Sequence, residues 1–471
     1  MKRIIEISAV FALMLSALFS CEKPDFSEGQ EDQVNGLMNV VLKIPGNPVE
    51  YSAVKKGPYD EGEEIQVKLP TSEDAPLDVT HLYCTVSVEH NCFVNPPVGR
   101  IIDFTEPYAI EVTDALGNVH HNTIRVIPVP PKTRFEEVWT KTDLEMGIPS
   151  RNNMGMAMND KYMAVLEWGA GIGPNFHLFD YKTGTKIKTV NTPDRFMFRV
   201  RTDDAGHFVA STCNEKDSGV GFSAYVYNDE KGTFKPLLNF MPDEGCPLQL
   251  GLGMSVVGDI TKGTSYIYAT GADAMEIYWW ELRDGLQITV PSKPNVMRFG
   301  PAKTNWYMSQ VQRMSIAEDS EMYISYLHMG GNEKEGGSAF QHFTPDMEIT
   351  TMNPLNHMYK IMDFKVFNLD NDVFMVSNQQ GFISWDYNKL RVYEITDKSM
   401  MELVPEDDGY KDFLVFDEVG WGIVNYNKIG NVDVEIEETP TGYDVWIGLN
   451  SFGFEASTSM QKMYKMTYYR Q

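Results

Sequence analysis

The sequence predicts an all-β protein in two parts, a small β-sandwich followed by a β-propeller. Short segments rich in aromatic and β-branched residues alternate with Pro, Gly, Asn and Asp clusters, which is the pattern of short strands joined by turns. One strand–turn–strand pattern recurs from Ser150 onward, and repeats of this kind are typical of propellers. The segment Pro128–Pro131 separates the two parts, because proline interrupts the hydrogen-bonded ladder of a sheet.

Length and composition indicate a globular protein of more than one domain. The chain has 471 residues, of which 42% are hydrophobic and 12% aromatic. Its formal net charge is -26, and a polyanion of this kind is repelled by phosphate backbones. We therefore expect no nucleic-acid partner.

Residues 1–20 have the composition of an export signal peptide. Lys2 and Arg3 precede the apolar run 4–19, which is too short to span a bilayer. Cys21 follows directly, and this arrangement resembles the lipobox of bacterial lipoproteins, in which the first mature cysteine is acylated. The resemblance implies lipidation at Cys21 and a membrane contact through that lipid. The alternative is an ordinary signal peptide followed by a cysteine without that role.

Residues 21–36 are predicted to form a flexible tether, because they are acidic and show no hydrophobic period. Residues 37–131 are predicted to form an immunoglobulin-like β-sandwich, since several short strands without a helical period are typical of that fold. The predicted strands are 38–44, 64–69, 83–88, 110–112 and 119–126.

Residues 132–471 are predicted to form the propeller, because a strand that begins near an aromatic residue recurs six times. The aligned aromatic residues are Tyr162, Phe208, Tyr266, Tyr323, Phe374 and Trp446. Their intervals of about 46 to 72 residues are close to the length of a four-stranded blade with insertions. A turn rich in Asn, Asp and Gly precedes each copy, and a third strand follows it. A fourth strand is predicted after each of the first five copies, the last of them at 401–405.

The sixth copy has no fourth strand before Gln471. Segment 135–140 alternates like a strand but has no earlier partner, so we expect it to supply that outer strand and close the ring. Six blades are favoured. The alternative is seven blades, in which the strand-like stretch 412–426 belongs to a further blade.

In a ring closed in this way, the loops between second and third strands share one face with the loops between successive blades. Aromatic and amide residues concentrate in these loops, and sugars stack on aromatic rings while amides bind their hydroxyl groups. The candidate ligand-binding residues are Trp168, Trp306, Tyr307, Asn378, Gln379, Trp385 and Trp421. The competing interpretation of each tryptophan is packing between blades. Arg199 and Arg313 fall on predicted first strands, where we expect them to balance aspartates near the channel.

The sequence predicts no catalytic residues, no metal site and no cofactor. It contains no CxxC, HxxxH, HExxH or G-x-S-x-G pattern, and its predicted turns lack the Ser/Thr-x-Asp-x-Gly-x-x-Trp boxes of sialidases. Cys84 with Cys92, and Cys213 with Cys246, form either disulfides or pairs of buried thiols.

The order of a lipidated cysteine, an acidic tether, a small sandwich and a large β-domain resembles the surface lipoproteins of Bacteroidetes glycan-utilisation systems. The resemblance implies a non-catalytic outer-membrane protein that faces the cell exterior and binds an oligosaccharide or polysaccharide on one propeller face. It also implies a partner, an outer-membrane glycan transporter complex. Two alternatives are a glycoside hydrolase, such as a sialidase-like propeller enzyme, and a protein-binding scaffold for adhesion or assembly.

Overall fold

The computed structural model describes residues 36–46, 50–71, 76–130, 132–148, 153–167, 175–213, 219–247, 249–271, 276–287, 293–298, 309–327, 338–353, 356, 360–380, 388–407, 409–418, 430–451 and 459–470. Cys21, the predicted signal peptide and nearly all of the predicted tether lie outside these ranges. Strands dominate the described residues, with short helices at Pro242–Glu244, Lys398–Glu402 and Tyr410–Phe413. The prediction of an all-β protein is confirmed. No helix in the described ranges has both the length and the apolar character to cross a membrane.

The chain divides into two compact units, Met1–Pro131 and Lys132–Gln471. The first unit contains β1 Leu37–Lys43, β2 Glu50–Ser52, β3 Glu64–Pro70, β4 Leu82–Val88, β5 Phe93–Asn95, β6 Arg100–Ile102, β7 Tyr108–Thr113 and β8 Val119–Val129. These strands form two sheets, in the orders β2-β1-β4-β6 and β3-β8-β7-β5. Strands β3 and β8 pair in parallel, and the other pairs are antiparallel.

The first unit buries one apolar face of each sheet in a common core. Strand β3 alternates, with Ile65, Val67 and Leu69 inside and polar residues between them outside. Cys84 and Cys92 are both buried free thiols, so this pair is not a disulfide. Burial raises the pKa of Cys84 to about 12, which keeps the thiol protonated as a small apolar core residue.

The second unit begins with β9 Thr133–Thr142. Its first three sheets use β10 Asn153–Met158, β11 Met163–Glu167, β12 Asn175–Asp180, β13 Thr185–Asn191, β14 Met197–Thr202, β15 Phe208–Thr212, β16 Phe222–Asn228, β17 Thr233–Phe240, β18 Gly253–Val257, β19 Thr264–Thr270, β20 Glu276–Arg283, β21 Leu286–Gln287 and β22 Asn295–Arg298. The next three sheets use β23 Gln310–Arg313, β24 Met322–Leu327, β25 Ser338–Phe343, β26 Ile349–Thr351, β27 Lys360–Leu369, β28 Asp372–Gln380, β29 Asn388–Glu394, β30 Leu414–Asp417, β31 Gly430–Thr439, β32 Gly442–Ser451 and β33 Met460–Tyr469.

The described residues of the second unit form six sheets, which are arranged around a central channel. Within each sheet the strands follow sequence order from a first, inner strand outward, except that β21 and β22 share the outer position of the third sheet. The first strands contact one another in a closed series, β10 to β14, β18, β23, β27, β31 and back to β10. The propeller-like fold predicted from the repeats is confirmed.

The sixth sheet has the order β31-β32-β33-β9. Strand β9 pairs along its length with β33, and Phe135 stacks on Phe416 with ring centroids 4.4 Å apart. The Trp139 indole N–H donates to the carbonyl oxygen of Tyr181 at 2.9 Å, which joins β9 to the first sheet. The first and last strands of the unit are therefore held in one sheet.

The predicted outer strand of the fifth sheet, 401–405, is wrong. Residues Lys398–Glu402 form a 3-10 helix, because the Asp397 carboxylate accepts the backbone N–H of Ser399 and caps its start. The side chains of Met401 and Phe413 are buried between the fourth and fifth sheets, which draws this segment inward. The outer strand is β30 instead. Part of the stretch that suggested a seventh blade thus belongs to the fifth sheet, and residues 419–426 lie outside the described ranges.

The strand connections fall at two ends of the second unit. At the turn end, first strands join second strands and third strands join fourth strands through tight turns. Glycines with positive φ such as Gly184 (φ 64) and Gly206 (φ 80) occupy these turns, where the left-handed conformation favours glycine. At the loop end, second strands join third strands and each sheet leads to the next.

Candidate functional site

Five of the seven predicted ligand-binding residues lie outside the described residues. They are Trp168, Trp306, Tyr307, Trp385 and Trp421. Their role in ligand binding stays a prediction.

Asn378 lies near the end of β28, at the loop end, and is fully buried. Its side-chain amide donates to the carbonyl oxygens of Asn431 at 3.0 Å and Asn450 at 2.8 Å. Its side-chain oxygen accepts from the amide of Asn388 at 2.7 Å. In this arrangement Asn378 links the fifth sheet to the sixth.

Gln379 is also fully buried. Its amide donates to the hydroxyl oxygens of Ser377 at 2.8 Å and Tyr393 at 2.9 Å. Its side-chain oxygen has no hydrogen-bond partner in the described part of the chain. Sugar binding by Asn378 and Gln379 stays a prediction, and the contacts recorded for them hold protein segments together.

The arginine that balances an aspartate in the channel is neither Arg199 nor Arg313, the two residues that the sequence suggested. Arg201, which the sequence did not single out, pairs with the buried Asp363 at 2.6 Å. Arg199 instead donates to two neutral oxygens, the carbonyl of Leu252 and the side chain of Asn431. Arg313 lies at the turn end, where it donates to the Tyr268 hydroxyl at 2.8 Å.

A cavity of about 510 Å³ opens at the turn end between the first three sheets, and we call it the turn-end cavity. Its volume falls in the range of roughly 300 to 1,000 Å³ that is usual for small-ligand sites. The polar and aromatic side chains in its lining are Asn159, Asp160, Lys161, Tyr162, His207, Phe208, Tyr227, Asn228, Asp229, Glu230, Lys235 and Thr261.

Local turn chemistry fixes the walls of the turn-end cavity. The Asn159 side-chain oxygen accepts the backbone N–H groups of Lys161 at 3.0 Å and Tyr162 at 2.8 Å, which shapes the first turn. The amide of Asn159 then donates to the carbonyl oxygen of Gly206 at 2.8 Å, in the corresponding turn of the second sheet. This side chain therefore sets the spacing of the two neighbouring walls.

Tyr162, Tyr227 and Asp229 line one side of the cavity, and Lys188 contacts all three. The Lys188 ammonium lies 5.8 Å from the ring centroid of Tyr162 and 5.5 Å from that of Tyr227, and it donates to Asp229 at 2.5 Å. The hydrogen bond from Lys188 lowers the pKa of Asp229 although burial opposes this. Burial alone would lower the pKa of Lys188, but its bonds to Asp229 and Tyr227 raise it. The pair is therefore ionised at neutral pH.

Asp203, His207 and Asp259 come close enough to hold a metal ion, with ligand atoms within 4.8 Å of one another. The Asp203 oxygen that lies 2.9 Å from the His207 ring also accepts the backbone N–H of Ile260 at 2.7 Å. The facing oxygen of Asp259 accepts the backbone N–H of Thr261 at 2.9 Å. Because these oxygens already bind backbone groups, the cluster acts as a hydrogen-bonded clamp between the second and third sheets.

Glu435 lies on β31, toward the turn end of the channel. Burial, followed by the charges of Asp433 and Asp160, raises its pKa to about 7. Asp433 is itself paired with Lys365 at 3.2 Å and accepts the backbone N–H of Met158 at 3.0 Å. Glu435 is thus a carboxyl group that holds its proton close to neutral pH.

The sequence did not predict the turn-end cavity. Tyr162 was identified only as the aromatic residue that marks a second strand, and Asp229 was not singled out. The signal that was present is the tyrosine beside an Asn-Asp-Lys turn, but the cavity exists because turns from three different sheets meet.

Four of the five cysteines of the sequence fall in the described ranges. Cys213 and Cys246 are buried thiols, so this pair too is not a disulfide. Burial raises the pKa of Cys246 to about 11, which makes its thiolate scarce at neutral pH. A nucleophilic role for that sulfur is therefore disfavoured.

Comparison with known proteins shows similarity at the level of the fold. No protein-family model and no curated protein matches the chain. The structure is similar to a DUF4623 family protein from Bacteroides eggerthii, with 11% identity and a TM-score of 0.53, over 93% of this chain and 99% of that one. It is also similar to a subtype N10 neuraminidase-like protein of A/little yellow-shouldered bat/Guatemala/060/2010, with 10% identity and a TM-score of 0.37, over 71% of this chain and 100% of that one.

A third similar structure is a mutant of AofleA from Arthrobotrys oligospora, with 7% identity and a TM-score of 0.41, over 72% of this chain and 94% of that one. At these identities a likeness concerns the fold alone. The Bacteroides protein shares this fold over both units of the chain.

Proposed function

We propose that this protein is a lipid-anchored, non-catalytic carbohydrate-binding protein of the outer-membrane surface. Its lipid is attached at Cys21, residues 21–36 are the tether, and a transporter complex of the outer membrane is its partner. The order of these features in the sequence supports the proposal. A fold shared with a Bacteroides protein is in keeping with it.

The architecture in this proposal is an immunoglobulin-like domain followed by a six-bladed propeller. The two facing four-stranded sheets of the first unit support the first part. Six sheets around a closed series of first strands support the second, and β9 is the strand that closes the ring.

The observation that carries the binding function is the lining of the turn-end cavity. It combines tyrosine rings with amide side chains and with the carboxylate of Asp229, which pairs with Lys188. An aromatic face accepts the C–H face of a sugar ring, while amides, carboxylates and ammonium groups satisfy its hydroxyls. We therefore infer that a glycan binds at the turn end. The loop-end residues Trp168, Trp306, Tyr307, Trp385 and Trp421 form the second candidate surface.

A glycan array probed with the mature protein, followed by product analysis of every bound glycan, tests the function. We expect specific binding and recovery of the glycan unchanged. Failure to bind any glycan, together with co-purification of a protein partner, would instead favour the scaffold alternative.

One observation favours a glycoside hydrolase as the second candidate. Hydrolases of this kind need a carboxylic acid with a raised pKa and a second carboxylate nearby, and Glu435 with Asp160 and Asp433 has that character. If products appear and the Glu435→Gln variant stops their formation while glycan binding persists, the protein is an enzyme and the non-catalytic proposal is wrong.

A further inference from the structure

Two arginines lie side by side at the loop end of the central channel. Arg199 and Arg201 are two residues apart on β14, so their side chains leave the same side of the strand. Their exposed fractions are only 2% and 7%. Because a guanidinium group stays charged in proteins, the channel holds two buried positive charges.

The described carboxylates balance only one of these charges. Asp363 lies 2.6 Å from Arg201, and its oxygens also accept the backbone N–H groups of Phe364 and Val432. The partners of Arg199 are the neutral oxygens of Leu252 and Asn431.

The next carboxylates along β31 are directed elsewhere. Asp433 pairs with Lys365 at 3.2 Å. Glu435 is four residues beyond Asn431, which is roughly 13 Å along an extended strand. Among the described residues, the loop end of the channel therefore carries an excess positive charge, and burying such a charge without a counter-charge is costly.

Three buried hydrogen-bond donors of the same network have no acceptor in the described part of the chain. They are Nη1 of Arg201, Nε2 of Gln310 and Nδ2 of Asn450. Gln310 contacts Arg201 directly, through its side-chain oxygen at 3.4 Å. The side-chain oxygen of Asn450 accepts from Asn431, which is the partner of Arg199. A site with surplus donors and surplus positive charge fits a ligand that is negative and only accepts hydrogen bonds.

We propose that the loop end of the central channel binds one small monovalent anion of halide size, chloride in ordinary solution, held by Arg201 and Gln310 and balancing Arg199. A halide ion accepts N–H groups from several directions and brings the missing charge, whereas water brings no charge. The near-complete burial of both arginines favours a monatomic ion over a larger anion. Burial, with a smaller effect of Arg201, lowers the pKa of Arg199 to about 10 against the opposing effect of Asp363, and a bound anion offsets that cost.

The site has a structural consequence, because the hydrogen-bonded side chains of the site and of the network around it come from four sheets. Arg201 belongs to the second sheet, Gln310 to the fourth, Asp363 to the fifth and Asn450 to the sixth. An anion bound among them therefore ties the ring of sheets together at its axis, and the stability of the second unit depends on chloride concentration.

Thermal unfolding of the full chain in sodium chloride, compared with sodium gluconate at equal ionic strength, tests the proposal. We expect the Tm to rise with chloride concentration and to stay lower in gluconate. A crystal grown in sodium bromide is expected to show an anomalous peak beside Arg201 and Gln310. Equal Tm values in both salts, or water in place of that peak, would overturn the proposal.

A glutamate at position 310 would supply the negative charge that the bound anion otherwise brings. Gln310→Glu is expected to keep or raise the Tm in gluconate and to abolish its dependence on chloride. Gln312→Glu on the same strand is the matched control. The side chain of Gln312 exchanges hydrogen bonds with the backbone N–H and carbonyl of Val366 and contacts neither arginine through a described hydrogen bond. That control is expected to lose stability and keep the chloride dependence.

Asn450→Asp is a second variant, for the case that Gln310→Glu does not fold. It keeps the oxygen that accepts from Asn431 and adds a negative charge beside the partner of Arg199. A folded variant of either kind that still responds to chloride as the wild type does would contradict the assignment of the site.

Discussion

The turn end and the loop end of the second unit use polar side chains in opposite ways. At the turn end, Asn159 and Asp203 bind the backbone of their own turns and of the adjacent turn, so neighbouring sheets meet through turns and leave a cavity open. At the loop end, Arg201 and Asn378 are buried and bond across sheets. The turn end therefore leaves a cavity between neighbouring sheets, while the described inner part of the loop end fixes the sheets around their axis.

Removing the counter-charge at the loop end should cause the largest loss of stability. We expect Asp363→Ala to lower the free energy of unfolding by about 3 to 5 kcal/mol, because it leaves Arg201 buried beside no carboxylate. Urea unfolding of the full chain measures the change.

The matched control for Asp363→Ala is Arg283→Ala, which breaks an exposed pair with Glu281 near the turn end. We expect that change to cost less than about 1 kcal/mol. Similar losses for the two variants would contradict the view that the axial pair holds the sheets.

Weakening the packing of β9 on the last sheet should cause the next largest loss of stability. Phe135 is half-buried and stacked on Phe416, so we expect Phe135→Ala to lower the free energy of unfolding by about 2 kcal/mol. Val138 on the same strand is exposed, and Val138→Ala is expected to change the free energy of unfolding by less than about 0.5 kcal/mol. Equal effects at both positions would mean that the packing of β9 on the last sheet contributes little.

A smaller, pH-dependent effect on stability is expected for Glu435. Its pKa is raised by burial to about 7 from an ordinary 4.5, so the folded state keeps a proton that the unfolded state releases between these values. Ionisation therefore destabilises the fold as pH rises from about 4.5 to 7. Glu435→Gln should match the wild type at pH 4 and exceed it at pH 8 by about 1 to 2 kcal/mol, after discount for solvent screening.

Glu437, two residues further on β31, provides the contrast. Bonds from Lys182, Tyr181 and Trp446 lower the pKa of Glu437 although burial opposes them. Its ionised form therefore stabilises the fold, and this contribution is lost as pH falls through the folded pKa. Glu437→Gln is expected to be less stable than the wild type at pH 8. The same sign for both variants would contradict the electrostatic description of β31.

Much of the fold could be predicted because its information is local and repeated. Six aromatic strands, each after a turn rich in Asn, Asp and Gly, were enough to indicate a propeller-like protein. The outer strand of the fifth sheet could not be predicted, because the burial of Met401 and Phe413 between two sheets overrides the strand-like pattern of 401–405.

The sites were harder to predict, because they depend on contacts between distant segments. Alternation assigns Arg199 and Arg201 to the same side of β14, but it cannot tell which of them meets Asp363, which is 162 residues away from Arg201 in sequence. Tyr162 belongs to a predicted strand, but its cavity requires turns of two further sheets. Trp168, Trp306 and the other loop-end aromatic residues lie outside the described ranges and stay predictions.

The most direct test of the account is titration calorimetry with a glycan selected on the array, for the wild type and matched variants. We predict that Tyr162→Ala weakens binding by about tenfold, as expected for the loss of one aromatic contact. Tyr266→Ala, at the aromatic residue that the sequence repeats align with Tyr162, lies away from the cavity and should bind like the wild type. So should Trp306→Ala, a change in the second candidate set. Unchanged affinity for Tyr162→Ala with loss of binding for Trp306→Ala would contradict the assignment of the ligand to the turn end.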